Sequence, residues 1–392
     1  MNLALVSNEV QEYLDKNKNT PIHNFVLSGS PFLEISIQEL AQQLEGRRKA
    51  VSKLPTWYSS KNIMYPPKLN LEQTSSEKTA RYKASLISGD TLLDGTGGFG
   101  IDSYFFSKTT KDVTHVEMNA ELSVIAEHNF KQLGKTIKCV NTDVIECLKL
   151  NSFEFDVIYL DPARSSSSKG KVFMLEDCLP NVPANLDLLL SRCNDIWIKT
   201  APLLDITAGL RELKNVKEIH IVALKNEVKE LLWHLTSIES NGELKIKTTN
   251  INPVRNEETS FTISELENAS PTFSKPKAFL YEPNAAIMKS GAFKWVSAYF
   301  ELDKIHEHSH LYTSQMMSDF PGRTFKINQV FPYSKKLKSF FKSTKANVTT
   351  RNFPLSVAQI RERHKIKDGG DTYLFFTTDL DNNLIVIDST KI

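Results

Sequence analysis

The chain has 392 residues, 40% of them hydrophobic and 24% charged, with only four cysteines. This composition excludes a disordered, collagen-like or coiled-coil chain, and no apolar run approaches the ~20 residues that a membrane-spanning helix needs. The formal net charge of +2 conceals two opposed parts: residues 321–392 hold 13 Lys and Arg against 6 Asp and Glu, or +7, and residues 1–320 hold 35 against 40, or −5. A split on this scale points to a polyanion partner for the basic end.

The opening stretch, MNLALVSNEVQEYLDK, has no basic start and carries Glu9, Glu12 and Asp15 early, so a secretory signal is not expected. Residues 1–85 read as a helical segment. Ser36 is placed to cap a helix through IQELAQQLEGRRK, with Ile37, Leu40 and Leu44 on one face. In LEQTSSEKTARYK, Thr74 and Glu77 have the spacing of a capping box.

From Thr91 the pattern becomes strand–helix alternation. TLLD, VTHVE, IKCVN, DVIYLD, DIWIKT and EIHIVAL read as strands. ELSVIAEHNFKQLG, NLDLLLSRC, LLDITAGLREL and EVKELLWHL read as helices between or after them, and LKIKTTNI and TSFTIS as closing strands. The expected architecture is α/β, a parallel sheet covered on both faces, over residues 86–268. Ala269–Pro276, polar and proline-bearing, reads as a linker. A small α+β unit over 274–320 and a second, basic one over 321–392 follow. TYLFFTTD and NLIVIDS form a hairpin in the last unit. Ser165–Ser168 reads as a mobile loop. Cys139, Cys147, Cys178 and Cys193 make no CxxC pair, which argues against structural zinc and for a reducing, cytoplasmic setting.

The most informative stretch is Leu92–Gly100, LLDGTGGFG, where a strand ends and a helix begins. Gly95, Gly97 and Gly100 fit GxGxxG, and Gly98 adds a fourth glycine beside Thr96. Glu117, ending the second strand, is placed for a ribose diol. Alone this spacing reads as a dinucleotide site. Asp94, directly before Gly95, changes that reading. A carboxylate there repels a pyrophosphate and suits a ligand bearing an ammonium group, as S-adenosylmethionine does. Asp143, after the third strand, is placed for an adenine amino group, or equally for a helix N-cap.

The fourth strand ends in Tyr159-Leu160-Asp161-Pro162-Ala163-Arg164. Ligands of open parallel sheets bind at the carboxyl ends of strands, which aims Asp161 into the site. Asp161 and the Pro162 carbonyl suit an exocyclic amine, and Arg164 a phosphate or a base face. Lys199, in KTAPLLD, follows the fifth strand on the same edge; the alternative there is a helix start with Pro202 in its first turn.

These residues resemble class I S-adenosylmethionine-dependent methyltransferases over about residues 68–265, through DGTGGFG, VEMN, NTDV and DPAR in order. LEQTSSEKTARYK resembles the segment that closes over the methionine end of the cofactor in nucleic-acid methyltransferases. The whole chain resembles a bacterial family that joins this domain to ferredoxin-like and THUMP-like domains, matching in LEQTSSEKTA, DGTGGFGID, DPAR, KTAPLLDI, YEPNAAIMKSGAF and KDGGDTYLFFT. The resemblance implies a Rossmann-like seven-stranded sheet. It implies a cofactor site of Asp94, Gly95, Thr96, Gly98, Gly100, Glu117 and Asp143, and a catalytic set of Asp161, Pro162, Arg164 and Lys199.

Ala163-Arg164 departs from amino-methylating enzymes, which carry an aromatic residue after Asp-Pro-Pro. Asp-Pro-x-Arg is also similar to uracil-C5 methyltransferases, but no cysteine stands in Val222–Glu227, where their thiolate belongs. His306, His308 and His310 would share one strand face, yet without further ligands no metal is expected. Interleaved with the basic residues of 323–367 are Phe325, Phe331, Tyr333, Phe340, Phe341 and Phe353, a pattern suited to RNA, although several of the aromatics must form the core of so small a unit. The expected function is methyl transfer to a base nitrogen of tRNA or rRNA. The alternatives are an RNA-binding protein on an inactive methyltransferase fold, or a methyltransferase acting on a protein or small molecule.

Overall fold

The computed structural model describes residues 2–150, 154–164, 174–238, 242–334, 337, 341 and 344–392. The Ser165–Ser168 loop and Phe340 lie outside the described residues. Among those described, no helix is long and apolar enough to cross a membrane. The chain forms two compact units, residues 1–218 with 231–242, and 219–230 with 243–392.

The first unit begins with helices Asn8–Lys16, Ile22–Leu27, Ile37–Lys53, Pro55–Ser59, Lys68–Gln73 and Glu77–Leu86. Ser36 and Glu39 close a full capping box at Ile37–Lys53, because serine and glutamate three apart satisfy each other's amide. The expected Thr74–Glu77 box does not form. Ser76 is the N-cap, its Oγ accepting from Thr79 N, and the Glu77 carboxylate instead takes the amide and hydroxyl of Thr56.

Strands β1 (Thr91–Asp94), β2 (Asp112–Val116), β3 (Lys138–Val140), β4 (Phe155–Leu160) and β5 (Cys193–Thr200) pair in parallel in the order β3-β2-β1-β4-β5. Buried runs such as Val157–Leu160 and Ile196–Ile198 mark strands covered on both faces. Strands β6 (Val216–Leu224) and β7 (Glu227–Thr236) complete the seven, with β7 antiparallel to β5 and lying between β5 and β6.

EVKELLWHL, expected as a helix, is thus strand β7. Val228, Leu231, Leu232 and Leu235 have helical spacing, but Leu231–Leu235 is buried throughout, as a strand covered on both faces requires. Lys225 and Asn226, with φ of 52° and 63°, make the two-residue turn that reverses the chain, a turn without the glycine that usually signals it. The base of this hairpin, 216–218 and 231–236, belongs to the first unit and its far end to the second.

Trp233 on β7 donates from Nε1 to Thr200 Oγ1 at 3.0 Å and lies against Gly209, where an added Cβ would stand 2.4 Å from the indole. Gly209→Ala is therefore expected to lower stability by about 1–3 kcal/mol through overpacking, read as a fall in the urea midpoint at unchanged m.

Beyond β6 the sheet continues with the antiparallel pair β8 (Lys245–Ile251) and β9 (Glu257–Thr262), which makes nine strands rather than the expected seven, and the second unit also contains a separate sheet. Its main strands are β10 (Phe279–Pro283), β11 (Tyr312–Ser314), β12 (Gly322–Pro332), β13 (Asn347–Thr350), β14 (Thr372–Thr378) and β15 (Leu384–Lys391). They run in the order β11-β10-β12-β15-β14-β13, so the stretches before and after residue 321 share one sheet. The β14–β15 hairpin forms as expected. Alternate residues of β14 serve two cores: Leu374 and Phe376 pack with Ile360 and Val386, and Phe375 with Leu280 and Phe325. The linker reading of Ala269–Pro276 holds only in part, because Ser274 N and Lys304 N pair across to Lys304 O and Thr272 O.

One expectation for this unit changes. His306, His308 and His310 sit in a turn, not on a strand. His306 bonds Asn352 and Asn382, while His310 stacks on Phe293. The described aromatics of the basic stretch are core residues: Phe325 and Phe341 are buried, and Phe331, Tyr333 and Phe353 pack against a buried cluster. A unit this small needs them there.

Candidate active site

Parallel strands deliver Asp94, Glu117, Asp161 and Lys199 to one edge of the sheet, at or just past the carboxyl ends of β1, β2, β4 and β5. The loop after β1 is closed from beneath. A Cβ on Gly97 would stand 2.1 Å from the His115 ring, and one on Gly95 2.5 Å from Val144. Gly98, at φ +56°, is open above, with nothing nearer than Thr96 O at 3.8 Å. The loop therefore presents bare backbone on one side only, a shape that fits a ligand lying on it.

Asp94 is 1% exposed. Its Oδ2 accepts from Ser103 Oγ and its Oδ1 from Thr96 N at 3.3 Å. Burial pushes this carboxyl up to about 7, against the Ser103 hydrogen bond and helped by the nearby charge of Asp102. Ser103 Oγ also meets His115 Nδ1 at 3.0 Å, and burial holds that imidazole down at about 4 and hence neutral.

Glu117 bridges the loop, accepting from Gly98 N at 2.8 Å and Asn119 N at 2.7 Å. Asp143 Oδ1 accepts from Ile145 N and Glu146 N, which is the N-cap alternative.

The glycine loop and the Asp-Pro segment are joined directly. Asp161 N donates to Thr96 Oγ1 at 2.6 Å, and Lys199 Nζ lies 2.6 Å from Asp161 Oδ2. Asp161 and Lys199 are 30% and 15% exposed at the side chain, so the pair is sheltered yet reachable. Ala163 and Arg164 are exposed and form a two-residue ladder with Leu179 and Cys178. This ladder brings Cys178 beside Arg164. Cys178 is 1% exposed, however, and burial pushes its thiol up to about 11, so it is no thiolate nucleophile.

One cluster went unread in the sequence. Lys83, 1% exposed, donates to Asp102 Oδ2 at 2.8 Å, Ser75 Oγ at 2.7 Å and Tyr159 OH at 3.2 Å. A buried ammonium needs such partners. Asp102 Oδ1 is buried with no hydrogen-bond partner among the described residues. Lys83 and Ser75 come from LEQTSSEKTARYK, Asp102 from the helix after the glycine loop and Tyr159 from β4. Lys83 lies on the buried face of its helix, beside Thr79, Ala80 and Ala84.

The sheet order, the glycine loop and the Asp-Pro edge define a class I methyltransferase fold. The chain is 31% identical to a "putative methyltransferase" of Porphyromonas gingivalis W83 of known crystal structure, over 99% of this chain and 98% of that one, with a TM-score of 0.89. Family models for a ferredoxin-like domain and for a THUMP domain-like region match residues 279–321 and 322–388. The chain is also 32% identical over 136 residues to an uncharacterized RNA methyltransferase of Mycoplasma mobile, 33% of this chain and about a third (36%) of that relative. The chain belongs to the family of class I methyltransferases that carry ferredoxin-like and THUMP-like C-terminal domains.

Proposed function

We propose that this protein methylates a base nitrogen of tRNA or rRNA, with S-adenosylmethionine as donor. The observation that carries the reading is the Thr96–Asp161–Lys199 chain, which fixes a carboxylate beside a glycine loop open on one side. The cofactor, when bound, supplies an electrophilic methyl on a sulfonium. Gly95, Thr96, Gly98 and Gly100 would hold it along the loop, Glu117 at the ribose and Asp143 at the adenine edge.

Asp94 lies beneath the loop, and its ionised form favours a cationic ligand there. Asp161 accepts from the target's amine and aligns it; Lys199, 2.6 Å from Oδ2, holds the carboxylate in one orientation. The Pro162 carbonyl is a second acceptor. Alignment matters most because an exocyclic amine is a weak nucleophile that must sit ~3–3.5 Å from the reacting carbon. Arg164, on the exposed ladder, suits a phosphate of the substrate.

Partner choice rests on the basic charge of residues 323–367 and on the THUMP domain-like match. Calorimetric titration with S-adenosylmethionine tests the donor: absence of binding would leave the inactive-fold reading. Mass spectrometry of tRNA and rRNA nucleosides from a strain lacking the gene tests the acceptor, with the loss of one methylated nucleoside expected.

A further inference from the structure

Glu282 on β10 stands opposite Arg323 on β12, on the sheet face that carries Leu280 and Phe325 into a buried cluster. The turn at 305–311 packs Ile305 and Leu311 on that same cluster. Arg351 comes from further along the chain, one residue past β13, where its amide donates to Phe376 O.

Glu282 is 3% exposed, and a carboxylate so buried needs a cation. Arg323 supplies one. Its Nε donates to Oε2 at 2.6 Å, its Nη2 reaches the same oxygen, and its Cζ lies 5.6 Å from the centroid of the Phe325 ring. Arg351 is a second cation on the same carboxylate, with Nη2 at 2.9 Å from Oε1. Its Nε is buried with no hydrogen-bond partner among the described residues, so Arg351 does not close the two-pronged pairing that arginine makes with a carboxylate it serves alone. Two positive charges against one negative leave a surplus of one. The guanidinium side chains are 33% and 35% exposed, which leaves that surplus within reach of solvent. The surroundings do not cancel it. His310, in the turn at 305–311, is held down at about 4 by burial first and then by Lys304, Arg351 and His308, and no described carboxylate acts against them.

We propose that Arg323 and Arg351, gathered on Glu282, hold a phosphodiester of the RNA backbone. A diester carries a single negative charge, which matches the surplus, and its non-bridging oxygens accept from guanidinium N–H groups. Arg351 makes the main contact, because Glu282 engages Nε and Nη2 of Arg323 but only Nη2 of Arg351. A contact of this kind positions RNA without reading its sequence. The site lies where the regions matched by the ferredoxin-like and THUMP domain-like models share one sheet. The inference rests on the RNA reading above and deepens it.

Full-length protein is titrated by fluorescence anisotropy with labelled bulk tRNA and with rC and rU oligomers of about 12 nucleotides, between about 50 and 200 mM chloride. Arg351→Gln is expected to weaken rC and rU alike, about 3- to 10-fold, and to flatten the salt slope by about 0.7. Arg351→Lys keeps the charge, and is expected to keep the slope but lose about 2- to 5-fold in affinity with the planar fork. Glu282 retains Arg323 in both variants, and urea melts compare their folding with wild type. Should Arg351→Gln melt lower, Arg351→Lys decides, and its unchanged affinity overturns the site. Inorganic phosphate, replacing chloride at equal ionic strength, is expected to leave wild-type binding unaltered. Displacement of tRNA by phosphate from wild type but not from either variant overturns the diester in favour of free phosphate. Unchanged affinity and slope in a well-folded Arg351→Gln, or a loss for rC alone or rU alone, also overturns the site. No wild-type binding to any of the three RNAs overturns the RNA reading itself.

Discussion

Asp161→Ala is expected to lower the rate of methyl transfer by about 10²- to 10³-fold while leaving cofactor affinity near wild type. The carboxylate is held from two sides, by its own amide on Thr96 Oγ1 and by Lys199 on Oδ2. Removing it takes away an acceptor and releases Lys199, which is 15% exposed, to turn elsewhere. Transfer of label from S-adenosylmethionine to RNA of a deletion strain reads the rate, and calorimetry reads the affinity. Lys199→Met is expected to produce a smaller loss, because Asp161 stays on Thr96 but loses its fixed orientation. Equal activity of Asp161→Ala and wild type would remove this residue from the mechanism.

The second large effect is expected at Asp94, and it depends on pH. Its carboxyl lies near 7 in the folded chain against an ordinary 3.8. Below the ordinary value both folded and unfolded chains carry the proton, and burial costs nothing extra. Between about 4 and 7 the unfolded chain ionises while the folded one does not, so stability falls as pH rises. Above 7 the cost is constant, and about 3 units at ~1.4 kcal/mol each makes it roughly 4 kcal/mol.

Asp94→Asn, which cannot ionise, is therefore expected to gain stability relative to wild type by about 2–3 kcal/mol between pH 5 and pH 8. Urea melts at the two pH values measure this. A difference that is flat with pH would mean that Asp94 is already ionised at pH 5. The same carboxyl predicts that wild type binds S-adenosylmethionine more tightly as pH rises through about 7, with a proton released on binding. Asp94→Asn should bind more weakly at pH 8 and lose that dependence.

Much of this site was legible before the fold was known. Glycines at 95, 97, 98 and 100 have few alternatives to a backbone-lined turn. Asp161 and Lys199 end apolar runs of parallel-strand character, which aims both at one edge. The carboxyl neighbours were harder to read. A sequence shows the charge of Asp94 but not its burial; Ser103 Oγ and Thr96 N donate to its oxygens only once the helix folds back over β1. Lys83 and Asp102, 19 positions apart, meet only when the helix Glu77–Leu86 packs on the helix Ile101–Phe106. The helical pattern of β7 misleads for a related reason. Apolar residues spaced three and four apart satisfy a helix, and only burial on both faces of a sheet distinguishes the strand.

The sequence by itself determined the class of fold, the glycine loop, the Asp-Pro edge and the concentration of positive charge after residue 321. These follow from local rules: which residues permit a turn, which alternate, and which carry charge. Tertiary structure alone decided which acids are buried and which are reachable. It decided which described aromatics of the basic stretch form a core, and that two arginines are held on the buried Glu282. Those are outcomes of contacts between residues far apart in the chain, where the free energy of burial and ion pairing is set by neighbours that no local pattern specifies.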